Sequence, residues 1–186
     1  MKVRMARWGS ALAVLAFLVT AVGVAADGGS GAVAAARPIS YLKVSGAVRG
    51  EIKGGVTRGG YENTIAVLGV EHDIASPSDG GQSTGRTSHR PLIITKDVDL
   101  STPLLYAALT QSENLREVRI KFLGPLGPDG AEIQYLQILL TNARVESIVL
   151  DSGDGTSATP RERVSFVDQR IELTWIPQGI VEGANW

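Results

Sequence analysis

The stretch of residues 86–115 constrains the fold most, because there the hydrophobic pattern changes from a strand period to a helix period. An apolar run that opens at Pro91 and continues to Leu100 with polar residues between predicts a strand. Ser101 or Thr102 then offers a hydroxyl to the free N–H groups of a helix, and Pro103 suits the first helical turn. The apolar face of this predicted helix has four members, Leu104, Leu105, Ala108 and Leu109. Taken alone, the pattern is also typical of an ordinary capped surface helix.

The rest of the chain is dominated by strand patterns. Besides the strand that opens at Pro91, strands are predicted over residues 40–44, 51–53, 64–74, 116–122, 132–150 and 163–176. The apolar residues change parity near Asn142 and again within 163–176, which predicts a bulge or bend in each long strand. About six strands and one helix without βα alternation favour a mainly β fold, a closed antiparallel β-barrel, over a parallel sheet.

A specific order of residues runs from the loop before the strand into the helix. It consists of Thr84, Gly85, Arg86, His89, Arg90, Pro91, Leu92, Ile94, Thr95, Lys96, Asp99, Pro103, Leu104, Leu105 and Tyr106. This order resembles the central motif of the Hcp family (haemolysin-coregulated protein), the tube-forming component of the type VI secretion system. Similar patterns follow at residues 118–122, 164–166 and 171–175, so the resemblance spans residues 40–175.

The resemblance implies a fold and a function. The fold would be an Hcp-like barrel with the short helix packed on its side, and the motif residues would be structural. The function would be mechanical: a homohexameric ring with a central lumen that serves as a tube subunit and secreted effector carrier. Its partners would be further copies of itself, a VgrG-like tip protein and secreted effectors. The alternative is an exported Hcp-like binding protein that acts in the periplasm or outside the cell without a contractile sheath.

The first 26 residues have the pattern of a secretory signal peptide. Lys2, Arg4 and Arg7 precede an apolar run over residues 11–24, and small residues end at Ala26. An uncleaved membrane anchor is the alternative. We expect a flexible spacer over 27–39, the barrel domain over 40–177 and a C-terminal tail over 178–186. Tube-forming members of the family resemble cytosolic proteins, so the leader departs from the pattern; if it is not used, the resemblance implies cytoplasmic assembly before secretion.

Residues 75–89 contain no large apolar side chain and therefore predict a solvated loop. Disorder is the ordinary interpretation of such a composition. The family resemblance implies instead a loop at one face of a ring. The candidate residues for stacking one ring on another are then Ser78, Asp79, Gly80, Gly81, Gln82 and Ser83.

Few residues suggest chemistry. His72 and His89 are the only histidines, and neither has a second ligand at a recognisable metal spacing. Asp151 and Asp154 flank a glycine-rich turn but are too few to form a calcium site. The sequence also lacks a G-x-S-x-G nucleophile motif and a phosphate-binding loop. We therefore expect no catalytic residues, no metal, no cofactor and no enzyme activity.

Composition excludes some kinds of partner. The formal net charge of −1 gives no reason to expect a nucleic acid, and without the leader we expect no stable membrane association. The chain has no cysteine, so it has neither a disulfide nor a thiolate metal site.

Overall fold

The computed structural model describes residues 40–85, 87–126, 132–152 and 159–186. The predicted signal peptide over 1–26, the predicted spacer over 27–39, Arg86 and the turn with Asp154 lie outside the described residues. The strands of the described part are β1 Ser40–Gly46, β2 Gly50–Ile52, β3 Ile65–Val67, β4 Gly69–Glu71, β5 Ile74–Ala75, β6 Ser78–Asp79, β7 Gln82–Ser83, β8 Ser88–His89, β9 Leu92–Asp97, β10 Leu115–Leu126, β11 Glu132–Asp151, β12 Arg161–Val167, β13 Arg170–Trp175 and β14 Ile180–Asn185. One α-helix, α1 Thr102–Thr110, and a 3-10 helix, Ile176–Gln178, complete this part of the chain.

The main sheet is antiparallel, and its strand pairing returns to its starting point. Its order is β2-β1-β10-β11-β12-β9-β4. Residues 65–71 connect the two ends of this path, because β3 pairs with β1 while β4 pairs with β9. Between them, the Leu68 N–H donates to the carbonyl oxygen of Thr95 at 2.8 Å. The ladder therefore closes, which agrees with the predicted antiparallel barrel with one helix.

The core lies inside this ring of strands. Alternate residues of β9 point inward, so Leu92, Ile94 and Lys96 are buried while their neighbours are partly exposed. The buried apolar set contains Leu42, Val44, Ile52, Ile65, Val67, Leu92, Ile94, Leu105, Ala108, Leu115, Val118, Ile120, Ile138, Leu140, Ala143, Val145, Val164, Phe166 and Ile171. These residues come from strands on all sides of the barrel and from the helix, so one core stabilises the whole domain.

The long strand β11 changes partner in its middle. Residues 136–141 pair with β13, whereas residues 144–151 pair with β12. Between these segments Asn142 has a φ of 51°, and the inward-facing residues change from Leu140 to Ala143. The parity change predicted near Asn142 is therefore confirmed, and a register shift follows between Val145 and Ser147.

Three predicted segments differ from the observed ones. The single strand expected over 64–74 is divided into β3, β4 and β5, and the one expected over 163–176 into β12 and β13. The bend expected within 163–176 is instead a chain reversal at Asp168 and Gln169 between these two strands. The tail expected after residue 177 contains β14, which pairs with β13 along its whole length. Gly183 permits this pairing, because a Cβ there would lie 2.9 Å from the carbonyl oxygen of Ile171.

The start of the helix also differs in detail. The strand before it ends at Asp97, so Val98 and Leu100 are exposed and do not extend it. Ser101 occupies the N-cap position, but its hydroxyl donates to Asp99 Oδ1 and accepts no hydrogen bond from a helix N–H group. The predicted side-chain cap is therefore wrong in its partner. The predicted apolar face is correct, since Leu105 and Ala108 are buried and the helix packs against β11.

Candidate functional site

The family-like motif divides into two places in the fold. One group lies where β9 passes into the helix: Lys96, Asp99, Pro103, Leu104, Leu105 and Tyr106. The other group lies between the hairpin tip and the start of β9: Thr84, Gly85, His89 and Pro91. The two groups stand at opposite ends of β9, because Pro91 precedes the strand and Asp99 follows it. The motif therefore does not converge on a single site.

The first group is organised by a buried ion pair. Lys96 and Glu162 are both fully buried, and Lys96 Nζ lies 2.6 Å from Glu162 Oε1. The same ammonium lies 2.8 Å from Asp99 Oδ1 and donates to the Asp97 carbonyl oxygen at 2.8 Å. The Thr102 hydroxyl donates to Glu162 Oε1 at 2.7 Å. Because Lys96 is on β9, Glu162 on β12 and Thr102 on α1, the cluster joins two strands to the helix.

Asp99 fixes the turn between the strand and the helix. Its carboxylate accepts hydrogen bonds from the Ser101 N–H at 2.9 Å and from the Gly55 N–H at 3.1 Å. Partial burial would raise the pKa of this carboxyl, but hydrogen bonds from Lys96 and Ser101 and the charge of Lys96 hold the pKa of Asp99 below its usual range. Asp99 is therefore ionised at neutral pH and shares the Lys96 ammonium with Glu162. This arrangement fixes the backbone between β9 and the helix.

A second buried carboxylate, Glu113, holds the turn between β1 and β2. Its Oε1 accepts the N–H groups of Val48 and Arg49, each at 2.9 Å, and its Oε2 lies 3.0 Å from Arg49 Nε. Burial would raise the pKa of Glu113, but the two backbone donors and the Arg49 charge lower it below its usual range. Gly46 makes room for this carboxylate, since a Cβ there would lie 2.3 Å from Glu113 Oε1. No local pattern around Glu113 predicts this interaction.

Residues 73–85 and 87–90 form an exposed hairpin, which we call the arm. Its tip pairs Ser78 with Ser83 and Asp79 with Gln82 around Gly80 and Gly81, whose positive φ angles of 56° and 87° suit a two-residue hairpin turn. The described side chains of residues 74–88 are exposed. The solvated segment predicted over 75–89 is thus present, but with regular pairing and not as an unpatterned loop. The six residues predicted for ring stacking occupy its tip.

The arm begins and ends beside a cluster that sequence reasoning missed. His72 Nε2 and His89 Nδ1 lie 3.1 Å apart, and His89 Nε2 lies 3.0 Å from Asp168 Oδ1. The ring of Trp186 stacks on His89 with a centroid distance of 4.2 Å. The two histidines are 17 residues apart in the sequence but are neighbours in the fold. A hairpin signal at Gly80 and Gly81 is the one feature of the sequence that could have placed them together.

Two further kinds of feature, a metal-binding cluster and a membrane-spanning helix, are absent from the described part of the chain. Within it, no group of three or more histidine, aspartate and glutamate side chains is placed to hold a metal ion. None of the helices among the described residues has both the length and the apolar character that a membrane span needs.

Comparison with known proteins gives a consistent result. The family model for the type VI secretion system effector Hcp matches residues 41–175. The "Major exported protein" of Pseudomonas aeruginosa is 33% identical over 167 residues, which covers 79% of this chain and 94% of that relative. The matched region includes the whole strand ring, the arm and the helix.

Solved structures agree in fold. A crystal structure of an Hcp protein has a TM-score of 0.74 at 25% identity and covers 79% of this chain and 98% of its own. The Hcp1 protein of E. coli EAEC 042 has a TM-score of 0.74 at 29% identity, with 81% and 99% covered. The secreted protein Hcp3 of Pseudomonas aeruginosa has a TM-score of 0.68 at 26% identity, with 79% and 97% covered. The chain therefore belongs to the Hcp family, the tube-forming and secreted component of the type VI secretion system.

Proposed function

We propose that this protein works as a homohexameric ring that stacks into a tube and carries secreted effectors beneath a VgrG-like tip. The family assignment over residues 41–175 is the observation that carries this proposal. Self-association then takes the place of an active site, and the relevant features are surfaces.

One exposed apolar surface suits association between copies. β14 pairs only with β13 in the described part of the chain, so its other edge is open. Trp175 and Ile180 are paired across these strands and are 42% and 57% exposed, and Leu173 on the same face is 38% exposed. A ring needs a heterologous contact, in which such a patch meets a different surface of the next copy.

Light scattering on residues 27–186 tests the ring. We expect a particle of six copies for the unaltered chain and a smaller particle for Trp175→Glu, because a charge would then lie in the apolar contact. Lys43→Glu is the matched control, because Lys43 lies on β1 and its side chain is exposed. This variant should still form a particle of six copies. A monomer of the unaltered chain at high micromolar concentration would contradict the proposal.

The arm is proposed to hold one ring on the next. Its tip is exposed and makes no contribution to the core, so its removal should leave the barrel folded. We expect replacement of residues 78–83 by a two-residue turn to preserve the hexamer and to suppress end-to-end polymers. Electron microscopy of concentrated samples, with the unaltered protein imaged alongside, measures this. Equal tube formation by both proteins would show that the tip does not join rings.

Export is supported by the name of the Pseudomonas aeruginosa relative, a major exported protein. For the route of export, we infer from the leader pattern that the chain is cleaved after Ala26 and that the released chain begins at Asp27. Intact-mass measurement of the protein from its native host tests this. A full-length chain in the cytosol would favour assembly in the cytoplasm, as in a sheath-driven system. A cleaved chain in the periplasm without rings would favour the exported binding protein instead.

A further inference from the structure

We propose that His72, His89 and Asp168 form an acid-sensitive latch that holds the base of the arm and the C-terminal strand against the barrel. The latch is closed when at most one of the two imidazoles is charged, and it opens when both are charged. The inference goes beyond ring formation and does not depend on it. It rests on direct contacts between three titratable side chains and on the segments that they join.

The hydrogen-bond geometry assigns the protons. The Asp168 side chain is fully buried, and as a carboxylate it can only accept, so His89 Nε2 donates to Asp168 Oδ1 across 3.0 Å. A neutral His89 then has only its Nδ1 lone pair left, which accepts from His72 Nε2 across 3.1 Å. The three side chains thus form one chain of hydrogen bonds, from His72 through His89 to Asp168.

This chain tolerates one added proton and rejects a second. If His89 becomes charged, both of its nitrogens donate, and His72 can still accept by moving its own proton to Nδ1. A charged His89 would still donate to the buried Asp168 and stack on the Trp186 ring. If His72 is charged as well, two N–H groups face each other across 3.1 Å. Neither can accept, and two positive charges repel in a half-buried site.

The surrounding charges do not remove this conflict. Asp73 adjoins His72 but is exposed and already paired with Arg90 at 3.3 Å. Glu71, on the other side of His72, is likewise exposed and paired with Arg163 at 3.2 Å. Burial first, and then the charge of His89, lower the pKa of His72 below its ordinary value of 6.5, although Asp168 and Asp73 act in the opposite direction.

The latch joins three parts of the fold. On the arm, His89 pairs with Ile74, and the Arg90 N–H donates to the Asp73 carbonyl oxygen at 3.1 Å. Asp168 lies in the reversal between β12 and β13. Trp186 follows β14, and its ring stacks on His89. Its backbone N–H donates to the carbonyl oxygen of Gln169. Separation of the two imidazoles therefore frees the arm base and the stacked end of the C-terminal strand together.

The direction in which pH shifts the latch between its closed and open forms follows from the lowered pKa of His72. Above about pH 6.5 His72 is neutral in both the closed and the open latch, so the closed form keeps its full stability. As the pH falls from 6.5 towards the lowered pKa, His72 binds a proton in the open form but stays neutral in the closed form. The opening equilibrium should therefore rise by about tenfold for each pH unit within that window and level off below it.

Hydrogen exchange of the full-length protein, followed by mass spectrometry and corrected for the intrinsic effect of pH, tests the latch. Peptides from residues 73–90 and 180–186 should lose protection as the pH falls below 6.5, while peptides from β10 and β11 should not. His72→Gln is the matched variant, since its amide can still donate to His89 but cannot take up a proton. We expect its arm to keep the same protection between pH 7.5 and 5.

NMR provides a measurement that needs no variant. Because the chain contains only two histidines, their ring signals can be titrated separately, and the second protonation should coincide with the loss of protection. The proposal is overturned if both imidazoles become charged while the arm stays protected. It is also overturned if His72→Gln loses protection with the same pH dependence as the unaltered protein.

Discussion

The buried pair of Lys96 and Glu162 makes a quantitative prediction about the stability of the barrel. Substitution Lys96→Met keeps the length and apolar stem of the side chain but removes the ammonium. Lys96 Nζ contacts Glu162 at 2.6 Å and Asp99 at 2.8 Å. After substitution, Glu162 keeps the Thr102 hydroxyl as a donor to Oε1, while its buried Oε2 has no partner among the described residues. A carboxylate would then be buried with a single hydrogen bond.

The expected cost follows from this loss of compensation. Removal of one member of a buried ion pair destabilises a protein by about 3–5 kcal/mol, because it leaves an uncompensated buried charge. Replacement of both members by apolar residues of similar volume is often close to neutral. We therefore expect Lys96→Met alone to lower the free energy of unfolding by about 3–5 kcal/mol. The double variant Lys96→Met/Glu162→Leu should recover most of that loss, except for the contacts of Asp99 and Thr102 that it also removes.

Urea denaturation at pH 7 and at one fixed protein concentration measures both variants, since self-association would otherwise shift the transition. Lys43→Met is the matched control: Lys43 lies 3.3 Å from Glu51, but both side chains are largely exposed. We expect this control to change stability by less than about 1 kcal/mol. A loss of under 1 kcal/mol for Lys96→Met, or a double variant no more stable than the single one, would refute the reasoning.

Two further predictions concern the helix and the turn beside it. Leu105→Asp should abolish the cooperative thermal transition followed by circular dichroism, because Leu105 is fully buried between helix and barrel; Tyr106→Asp, at a 38% exposed position, should retain it. Glu113→Gln should lower the free energy of unfolding in urea by about 1–3 kcal/mol at pH 7. Because the pKa of Glu113 is lowered, its contribution is present above its ordinary value of 4.5 and is lost as the pH falls through the lowered value, so the two proteins should converge in acid.

Much of the barrel could be predicted because its signals are local. The alternation in β10 and the parity change at Asn142 are properties of neighbouring residues, and both are found in the structure. The end of the chain could not be predicted in the same way. β14 is exposed along most of its length, and its sequence has no apolar alternation that would predict a strand. It forms because β13 offers an edge for pairing. Its formation depends on a partner that is near only after folding.

The buried charges show a similar limit. Lys96 occupies an inward position of β9, where the alternation of Leu92 and Ile94 would place an apolar side chain. The motif drew attention to Lys96 and Asp99, but not to Glu162, which is 66 residues away from Lys96 in the sequence. Glu113 was missed for the same reason, since its partners lie in the turn after β1. Nothing local distinguishes a glutamate that will be buried from one that will face water.

The histidine cluster lies between these two cases, because part of its signal is local. A hairpin closed at Gly80 and Gly81 and extended without irregularity would place residue 72 opposite residue 89. In the structure Ile74 stands opposite His89, so the register has shifted by two residues and His72 is a diagonal neighbour on the same face. The histidine contact could therefore have been inferred from the turn, but Asp168 and Trp186 could not. The local signal brings the two imidazoles together, and only the tertiary fold adds the buried carboxylate that accepts a hydrogen bond from His89.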